Sequence, residues 1–515
     1  MTEKFLIGVD LGTSRTKSGL YHIDGQLVAQ ASREVPLYYP KPGVVEQEND
    51  DFYHTAAQTV RECISRSGIE PRQVAAIAFD SQMAGIGSID EDYRPANRFD
   101  SWLDMRCEPY IKAMDKQAGD RVIELTGCAP TCDHGPKILW WMHERPEEFR
   151  RIAKFVTPAS YVAGNMTGLK SDQAFMDYTF IHFSGFSDSR SLAWSNELCQ
   201  QFGLDSEKLP EIVEPWKIVG EITPAASKDF GLAAGTPVAA GCGDTAACAL
   251  GAGVVRPGML FDTAGTAAVL AASTKHFVAD KKYRALLCMH SVLPGLYNPL
   301  AYIAGGGLAL RWFRDQFYKA HRGRPQVLEG DLYDEMIAIA NDVVPGAEGL
   351  MFSPHLGGRI CPASPAMRGA WIGFSWGHSQ RHFLRAMLES VAFEYAFYLK
   401  ILREQISDLE LYETRVVGGG AQSLVWNQIK ADVLDVPYQR LDRSELGTWG
   451  SALIAGKAVG LFTDLASKAM ECTRPDGDLV LPNPANRSIY APLVERYISM
   501  QTSLENYFAE EQTNT

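Results

Sequence analysis

Asp244 is the residue of this sequence whose surroundings are best suited to chemistry. It lies in the segment Gly241-Cys242-Gly243-Asp244-Thr245, directly after the apolar run 237–240. Because that run predicts a strand, the carboxylate should stand exposed at a strand end, and the glycines let a ligand approach the backbone. A second role is open, since an Asp before small residues such as 246–249 can cap a helix.

The turn after the first predicted strand is a candidate phosphate site. Residues 5–10 predict a buried strand, and Asp10-Leu11-Gly12-Thr13-Ser14 joins it to a second strand at about 16–23. Such a turn aims N–H groups and hydroxyls at one point, and an acidic residue at the strand end can hold Mg²⁺ through water. The pattern recurs at Asp262-Thr263-Ala264-Gly265-Thr266. This recurrence, about half a chain length later, favours a phosphate site over a plain hairpin turn and suggests duplicated domains.

Two glycine turns in the second half of the chain are suited to a nucleotide. Gly305-Gly306-Gly307 and Gly418-Gly419-Gly420 each follow a predicted strand and precede a predicted helix. The N–H groups and the helix dipole at such a turn favour anions, and glycines let a nucleotide lie against the backbone. The spacing is not Gly-x-Gly-x-x-Gly, so a dinucleotide fold is not indicated. Asn427, in the helix predicted at about 423–434, would lie where it could meet an adenosine.

Local signals predict the elements that position these groups. Asp24-Gly25 predicts a hairpin that leads into a third antiparallel strand at 26–31. Asn49 predicts the cap of a helix that ends at Gly68. The run 74–79 is apolar on both faces, as expected of a strand covered by helices on each side. The first quarter of the chain is therefore α/β.

The composition limits the classes of function. A chain of 515 residues, 46% hydrophobic and 22% charged, predicts a globular protein of two or more domains. Its net charge of −13 argues against nucleic acid as a partner. Ten cysteines without paired Cys-x-x-Cys spacing predict reduced thiols. We find no secretory segment and no run of membrane-spanning length, and we therefore expect a cytoplasmic protein with no membrane partner, for which a homodimer is an open alternative.

Taken in order, the motifs resemble those of the FGGY carbohydrate kinases. The matching segments are Asp10-x-Gly12-Thr13-Ser14, Gly241-x-Gly243-Asp244, Gly265-Thr266, Gly305-Gly306-Gly307 and Gly418-Gly419-Gly420-Ala421. The resemblance extends from about residue 5 to about residue 465 and implies an α/β fold of two ribonuclease-H-like (actin/hexokinase-like) domains around a central cleft. It predicts an N-terminal sugar-binding domain at 1–254, a C-terminal ATP-binding domain at 255–507 and a tail at 508–515.

The resemblance also implies residue roles, with ATP and Mg²⁺ as cofactors. Asp244 is similar to the catalytic base, which takes the proton from the sugar hydroxyl as it attacks the γ-phosphate, and Asp10 is similar to the residue that organises Mg²⁺. These roles agree with phosphoryl transfer, in which positioning and charge stabilisation dominate. The residues implied to approach the transferring phosphate or to hold the β- and γ-phosphates are Thr13, Ser14, Lys17, Gly265 and Thr266. Those implied to surround the rest of the nucleotide are Gly306, Gly419, Gly420, Ala421 and Asn427.

Two segments are implied on the acceptor side. Gln82 and Met83 stand where xylulokinase-like members of the family contact the sugar, and Thr245 lies beside the base. Those members have a His where this chain has Ala84, and the loss of that His removes a partner for a hydroxyl group. Glycerol kinases have an Arg-Glu pair in place of Met83-Ala84, so glycerol is disfavoured.

The second acceptor segment contains Trp102, Asp104 and Arg106. It is similar to a family segment in which an indole stacks on the sugar and charged groups bind hydroxyls. Without the family context, a surface ion pair beside a half-buried Trp explains the same residues equally well. The histidines His134, His143 and His182 have no metal-ligand spacing, and we assign them no role from the sequence.

The sequence therefore predicts an ATP-dependent sugar kinase that transfers the γ-phosphate to a hydroxyl of a ketose such as xylulose, or of a related ketopentose or polyol. One alternative is the same fold acting on another acceptor, such as a deoxyketose or an aldonic acid. A second alternative is a nucleotide-driven, actin-like or chaperone-like switch that transfers no phosphate to a sugar. A sugar-binding regulator is a weaker alternative, because it would usually carry a separate DNA-binding segment.

Overall fold

The structure is a computed structural model that describes residues 3–318 and 329–513, with the backbone alone for 329–331 and 510–513. Its contacts divide the chain into two compact units, each assembled from three stretches. The first unit comprises Met1–Arg256, Leu287–Asn298 and Glu445–Arg474. The second comprises Pro257–Leu286, Pro299–Ser444 and Pro475–Thr515. The chain therefore passes between the units more than once.

The main sheet of the first unit is built around the strand Phe5–Leu11, whose side chains are almost all buried. Across the sheet the strands follow the order Ile218–Glu221, Pro237–Ala239, Val74–Ser81, Phe5–Leu11, Arg15–His22 and Leu27–Glu34. The last three are antiparallel neighbours, whereas Val74–Ser81 runs parallel to Phe5–Leu11. Parallel pairing brings the carboxyl ends of these two strands to the same edge of the sheet. The predicted strands at 5–10, 16–23, 26–31 and 74–79 and the hairpin at Asp24-Gly25 are confirmed.

Smaller strands and ten α-helices complete the described part of the first unit. The other strands are Glu46–Gln47, Ile86–Ile89, Pro95–Asp100, Lys154–Val156, Phe175–Asp177, Ser187–Asp188, Ala193–Trp194, Glu211–Val213, Cys242–Gly243 and Leu287–His290. The α-helices are Asn49–Ser67, Glu108–Thr126, His134–Glu144, Pro146–Arg151, Pro158–Thr167, Asn196–Phe202, Pro224–Phe230, Asp244–Gly251, Leu446–Ala458 and Leu465–Cys472.

The helix Asn49–Ser67 differs from the prediction at its start and agrees at its end. Glu48 occupies the cap position, and Asn49 is the first helical residue. The Asn49 side chain donates to the carbonyl of Asn97 at 2.8 Å, so the predicted cap is wrong because this amide pairs with a neighbouring strand. Gly68 ends the helix in the left-handed conformation, with φ 69°, as predicted.

The helix Leu446–Ala458 packs on the strand Phe5–Leu11 of the first unit, whereas the predicted boundaries assigned it to the C-terminal domain. A β-carbon at Gly8 would lie 1.8 Å from the carbonyl oxygen of Thr448. One at Gly450 would lie 2.1 Å from the carbonyl oxygen of Ala247. Glycine is therefore required at both positions, because any side chain would collide with backbone.

The sheet of the second unit repeats the plan of the first. Its strands follow the order Tyr297–Ile303, Ala268–Ala272, Met259–Ala264, Glu413–Val417 and Tyr438–Arg440. Again the first strand in the chain is central, with an antiparallel hairpin partner on one side and parallel strands on the other. This repetition confirms the prediction of two domains related by duplication.

The remaining elements of the second unit are mainly helical. Its helices are Gly306–Phe313, Arg314–Tyr318, Glu329–Asn341, Gln380–Gln405, Leu424–Leu434 and Pro484–Thr513, and a small sheet joins Met351–Ser353 to Ala370–Ile372. The last helix runs into the segment predicted as a tail, of which residues 514 and 515 lie outside the described residues. Among the helices in the described ranges, none has both the length and the hydropathy of a membrane span.

Asp262 is not the counterpart of Asp10. The N–H groups of Gly12 and Gly265 each close a hairpin turn, at 3.1 Å from the carbonyl oxygens of Arg15 and Ala267. Counting back from these glycines places Thr263, rather than Asp262, at the position of Asp10. Because side chains alternate along a strand, Asp262 points to the opposite face. The predicted recurrence therefore holds for the glycine and threonine of the motif and is wrong for its carboxylate.

Asp262 instead anchors the core of the second unit. Its carboxylate is buried and accepts hydrogen bonds from the Lys430 ammonium and from the Tyr395 hydroxyl, the latter at 2.8 Å. The Lys430 ammonium also lies 4.9 Å from the ring centroid of Trp426. This residue group is an ion pair in the protein interior, where the loss of one partner leaves an uncompensated charge.

We predict that Lys430→Met lowers the free energy of unfolding by about 3–5 kcal/mol, because Asp262 would be left charged and buried. Lys400→Met is the matched control, since Lys400 on the helix Gln380–Gln405 pairs with Glu495 in a solvent-exposed ion pair, and its removal should cost about 1 kcal/mol or less. Urea unfolding followed by circular dichroism measures both. Equal losses of stability in the two variants would contradict the assignment.

Candidate active site

Three carboxylates meet at one edge of the main sheet of the first unit. The strand register pairs Asp10 with Asp80 and pairs Asp80 with Cys242, two residues before Asp244. Asp244 begins the helix Asp244–Gly251. Gly241 permits this path because its φ is +83° and a β-carbon there would lie 1.8 Å from the carbonyl oxygen of Phe79. The structure thus brings Asp10 and Asp244 together, as the sequence predicted.

Asp244 is the first residue of its helix rather than its cap. Gly243 occupies the cap position and no side chain caps the helix. The Asp244 Oδ1 accepts from the backbone N–H of Thr245 at 2.6 Å and from its hydroxyl at 3.2 Å. Burial raises the pKa of Asp244 to about 6, against the lowering effect of these two hydrogen bonds. The cap interpretation is wrong, and a carboxylate with this pKa is suited to proton transfer near neutral pH.

Asp80 is a third carboxylate, which the sequence prediction missed. It is fully buried; its Oδ2 accepts from the Ser451 hydroxyl at 2.7 Å, and its Oδ1 has no hydrogen-bond donor among the described residues. The strand register sets the two residues Asp10 and Asp80 side by side, and the charge of Asp10 acts on the Asp80 carboxyl group. Asp80 could have been found in the sequence, because it is an acidic residue at the end of an apolar strand.

The environment of this pair favours the protonated form. Burial, followed by the charge of Asp244, raises the pKa of Asp10 to about 7, and Lys17 opposes the shift. Burial and the Asp10 charge also raise the pKa of Asp80 well above its usual range. A carboxyl pair with one oxygen lacking a donor is a donor set that fits Mg²⁺, which commonly takes one or two carboxylates together with phosphate oxygens and waters. The described residues contain no group of three or more His, Cys, Asp or Glu placed to hold a metal ion.

Lys17 and Ser14 lie on the hairpin beside Asp10. Lys17 pairs with Asp10 across the two strands, and its ammonium lies 3.2 Å from a carboxylate oxygen of Glu445. Ser14 is exposed at the turn, where its carbonyl accepts from the N–H of Val35 at 3.0 Å. The structure therefore places Lys17 beside Asp10, and Ser14 at the exposed turn of the same hairpin.

Thr13, which the family resemblance placed on the phosphate side, is hydrogen-bonded to two of the predicted acceptor residues. Its hydroxyl accepts from the indole N–H of Trp102 at 2.8 Å and donates to Oε1 of Gln82 at 3.3 Å. The Gln82 amide in turn donates to Oε1 of Gln47 at 2.8 Å, and the Gln47 amide donates to the carbonyl of Thr13 at 3.0 Å. Gln47 is fully buried, and sequence reasoning missed it because its partners lie far away in the chain. These four residues form the acceptor network.

Asp104 and Arg106 form a buried ion pair behind this network. Asp104 is fully buried and accepts from the N–H of Val45 and from the Arg106 guanidinium, both within 3.0 Å. The guanidinium also donates to Glu46 at 2.7 Å and lies 5.0 Å from the ring centroid of Trp140. The alternative of a surface ion pair is therefore wrong, and the pair fixes the segment that carries Trp102.

Met83 connects the acceptor loop to the turn of Asp244. A β-carbon at Gly243 would lie 2.6 Å from the Met83 sulfur, so the side chain packs directly on this glycine. The N–H of Gly243 donates to the Thr179 hydroxyl at 2.8 Å. Ala84 adopts φ +62°, a left-handed conformation that a β-carbon disfavours. The loop after Met83 is therefore held in a strained conformation, as is common at functional sites.

The glycine turns of the second unit line a cavity of about 510 Å³. Of the predicted nucleotide residues, Gly265, Thr266, Gly419 and Gly420 line it; Arg311, Tyr333 and Asp334, which the sequence did not single out, line it too. Gly306, Ala421 and Asn427 are buried beside these turns. The Asn427 amide donates to the carbonyl of Ala421 at 2.8 Å, so it supports the turn, and its contact with adenosine stays a prediction.

Comparisons with known proteins match both halves of the chain to one family. Residues 5–251 match the N-terminal domain and residues 261–459 the C-terminal domain of the FGGY family of carbohydrate kinases. The chain is 28% identical over 509 residues to the xylulose kinase of Bacillus subtilis, with 97% of each chain covered. It is 27% identical over 517 residues to the gluconokinase of Bacillus licheniformis, with 98% of this chain and 97% of that protein covered.

A solved structure agrees as well. The xylulose kinase from Rhodospirillum rubrum matches with a TM-score of 0.88 and 25% identity, over 98% of this chain and 100% of that chain. The predicted fold class, α/β with two ribonuclease-H-like (actin/hexokinase-like) domains, is thereby confirmed. The two domain matches together cover most of the sequence. This chain belongs to the FGGY family of carbohydrate kinases and is a phosphotransferase.

Proposed function

We propose that this enzyme transfers the γ-phosphate of ATP to a hydroxyl of a ketose such as xylulose, or of a related ketopentose or polyol. The observation that carries the proposal is the acceptor network of Thr13, Gln47, Gln82 and Trp102, joined through Met83 to the turn of Asp244. A nucleotide-driven switch would not need this network. The relatives include both xylulose kinases and gluconokinases, so an aldonic acid is the main alternative acceptor.

In the proposed reaction Asp244 acts as the base. With a pKa raised to about 6, its carboxylate is largely ionised at neutral pH yet basic enough to take a proton from a hydroxyl that attacks phosphorus. The two hydrogen bonds from Thr245 fix the orientation of Oδ1. Trp102 and Gln82 hold the acceptor, so that the hydroxyl rather than water is presented to the base.

Asp10 and Asp80 would hold Mg²⁺, which when bound neutralises charge on the phosphates of ATP. Lys17 and Ser14 contribute an ammonium and a hydroxyl next to that pair, and both are suited to the transferring phosphate. In the second unit, Gly265 and Thr266, which line the cavity, are suited to the β- and γ-phosphates, and Gly419 and Gly420 to the rest of the nucleotide.

We propose 1–254 as the sugar-binding domain, 255–507 as the ATP-binding domain and 508–515 as a tail. The segment Glu445–Arg474 would belong with the sugar-binding domain, because Ser451 contacts Asp80 and Glu445 contacts Lys17. We further propose a cytoplasmic location, since the structure shows no disulfide bond among the described residues, as is usual in a reducing compartment.

Asp244→Asn should lower kcat by about 10²–10⁴-fold, because the amide cannot accept the proton. The measurement is ADP release from Mg-ATP with a panel of ketopentoses, deoxyketoses, polyols and D-gluconate, together with ATP binding by calorimetry, which should be retained. Asp172→Asn, at an exposed position, is the matched control and should leave kcat unchanged. Undiminished turnover in Asp244→Asn would exclude this residue as the base.

Thr13→Val should raise the KM for the acceptor by about tenfold or more with little change in the KM for ATP. Valine keeps the shape of the side chain but loses both hydrogen bonds of the Thr13 hydroxyl, to Trp102 and to Gln82. Thr13→Ser keeps the hydroxyl and should restore most of the affinity. If Thr13 served the transferring phosphate instead, Thr13→Val would lower kcat and leave the KM for the acceptor unchanged.

A further inference from the structure

Two buried histidines of the first unit have no hydrogen-bond partner. His134 and His182 are each 1% exposed, and none of their four ring nitrogens makes a hydrogen bond to a described residue. The ring centroid of Phe183 lies 4.0 Å from that of His182 and 6.1 Å from that of His134, so both rings belong to one cluster. Backbone groups of Gly85 and of Thr179 lie close enough to act on the pKa of these rings. Buried polar groups are nearly always paired, so the ring nitrogens that the backbone does not satisfy are open to a ligand.

The cluster lies directly behind the two loops that carry the acceptor residues and the base. His134 is next to the backbone of Gly85, two residues after Met83, and His182 is next to the backbone of Thr179. The Thr179 hydroxyl accepts from the N–H of Gly243, the residue before Asp244. Just before His134, the Cys132 thiol contacts the carbonyl of Trp102 at 3.5 Å. The pair thus adjoins the loop that follows Met83 and the segment that holds the turn of Asp244.

The protonation state of the pair indicates the kind of ligand that it can bind. Burial, followed by the charge of Lys137, lowers the pKa of His134 to about 3. Burial and the neighbouring His134 lower that of His182 to about 3. Both rings are therefore neutral at physiological pH, and each offers one N–H donor and one nitrogen acceptor.

Hydroxyl groups match this pattern, because each hydroxyl both donates and accepts. A carboxylate matches it poorly, since it has no proton for the acceptor nitrogens. The buried cation nearest in sequence, Lys137, donates to the carbonyl of Cys132. Its charge also acts on the carboxyl groups of Asp133 and Asp100, so the chain itself supplies groups that compensate it.

We propose, on the basis of the sugar-kinase function above, that His134 and His182 form the inner wall of the acceptor site and bind hydroxyl groups of an uncharged sugar or polyol. The pair would select ketoses and polyols over aldonates. The histidines act by hydrogen bonding alone and take no part in proton transfer.

The test replaces each ring by one of similar shape without nitrogens. His182→Phe and His134→Phe should each raise the Kd and the KM for D-xylulose, or for the best uncharged acceptor of the panel, by about tenfold or more. The KM for ATP should not change.

His143→Phe is the matched control, because His143 lies on the same helix and stacks on Tyr110 with the ring centroids 5.5 Å apart. This variant should leave every Kd and KM unchanged. His134→Asn keeps one donor and one acceptor and should show a smaller rise than His134→Phe, which gives a second readout if a Phe variant does not fold.

Several outcomes would overturn the inference. Unchanged acceptor Kd and KM in the folded His variants would mean that the rings bind a buried water instead. Phosphorylation of D-gluconate in preference to every uncharged acceptor would refute the inference while leaving the sugar-kinase function intact. Calorimetric titration of D-xylulose without nucleotide separates the sugar-kinase proposal from the histidine proposal. Binding that weakens in His182→Phe supports the role of the histidines even if no phosphate is transferred. Absence of binding by any uncharged acceptor refutes that role.

Discussion

The burial of carboxyl groups at one edge of a sheet is the constraint on which the rest of this structure depends. Asp80 is enclosed completely, and Asp10 and Asp244 have their carboxyl groups largely surrounded by protein. Such burial is costly for the ionised form and shifts each pKa toward neutrality. The surrounding fold compensates through one hydrogen bond from Ser451 to Asp80 and two from Thr245 to Asp244. Glycines in the covering helix allow this close approach, since a β-carbon at Gly447 would already lie 3.2 Å from Asp80.

The same edge of the sheet also organises the acceptor side. The turn that follows Asp10 carries Thr13, and the loop that follows Asp80 carries Gln82, so the carboxylates and the acceptor network are parts of the same strand ends. Trp102 is added from a separate segment, which the buried pair of Asp104 and Arg106 holds in place. A shift of the strand register would therefore disturb the base, the candidate metal site and the acceptor network together.

Local features of the sequence predicted much of this fold and site. The hairpin at Asp24-Gly25, the apolar run before Asp80 and the glycine turns each depend on a few neighbouring residues, and the structure has them where we predicted them. Failures arose where the outcome depends on strand alternation or on distant residues. Asp262 resembles Asp10 in sequence, but a shift of one residue relative to the glycine turns it to the opposite face. Gln47 gave no local signal, because it acquires its role from residues distant in the chain.

The central claim is that Asp244, with a pKa raised by burial, is the base of the transfer, and the pH dependence of kcat/KM for the acceptor tests it most directly. Asp244 must be ionised to take the proton, so kcat/KM should be level above about pH 7 and fall about tenfold per pH unit below about pH 6. The measurement uses saturating Mg-ATP over the range from about pH 8 to about pH 4.5, with circular dichroism to verify that the protein stays folded. A profile that stays level down to about pH 5 would contradict the account, because a carboxylate with its ordinary pKa would then suffice.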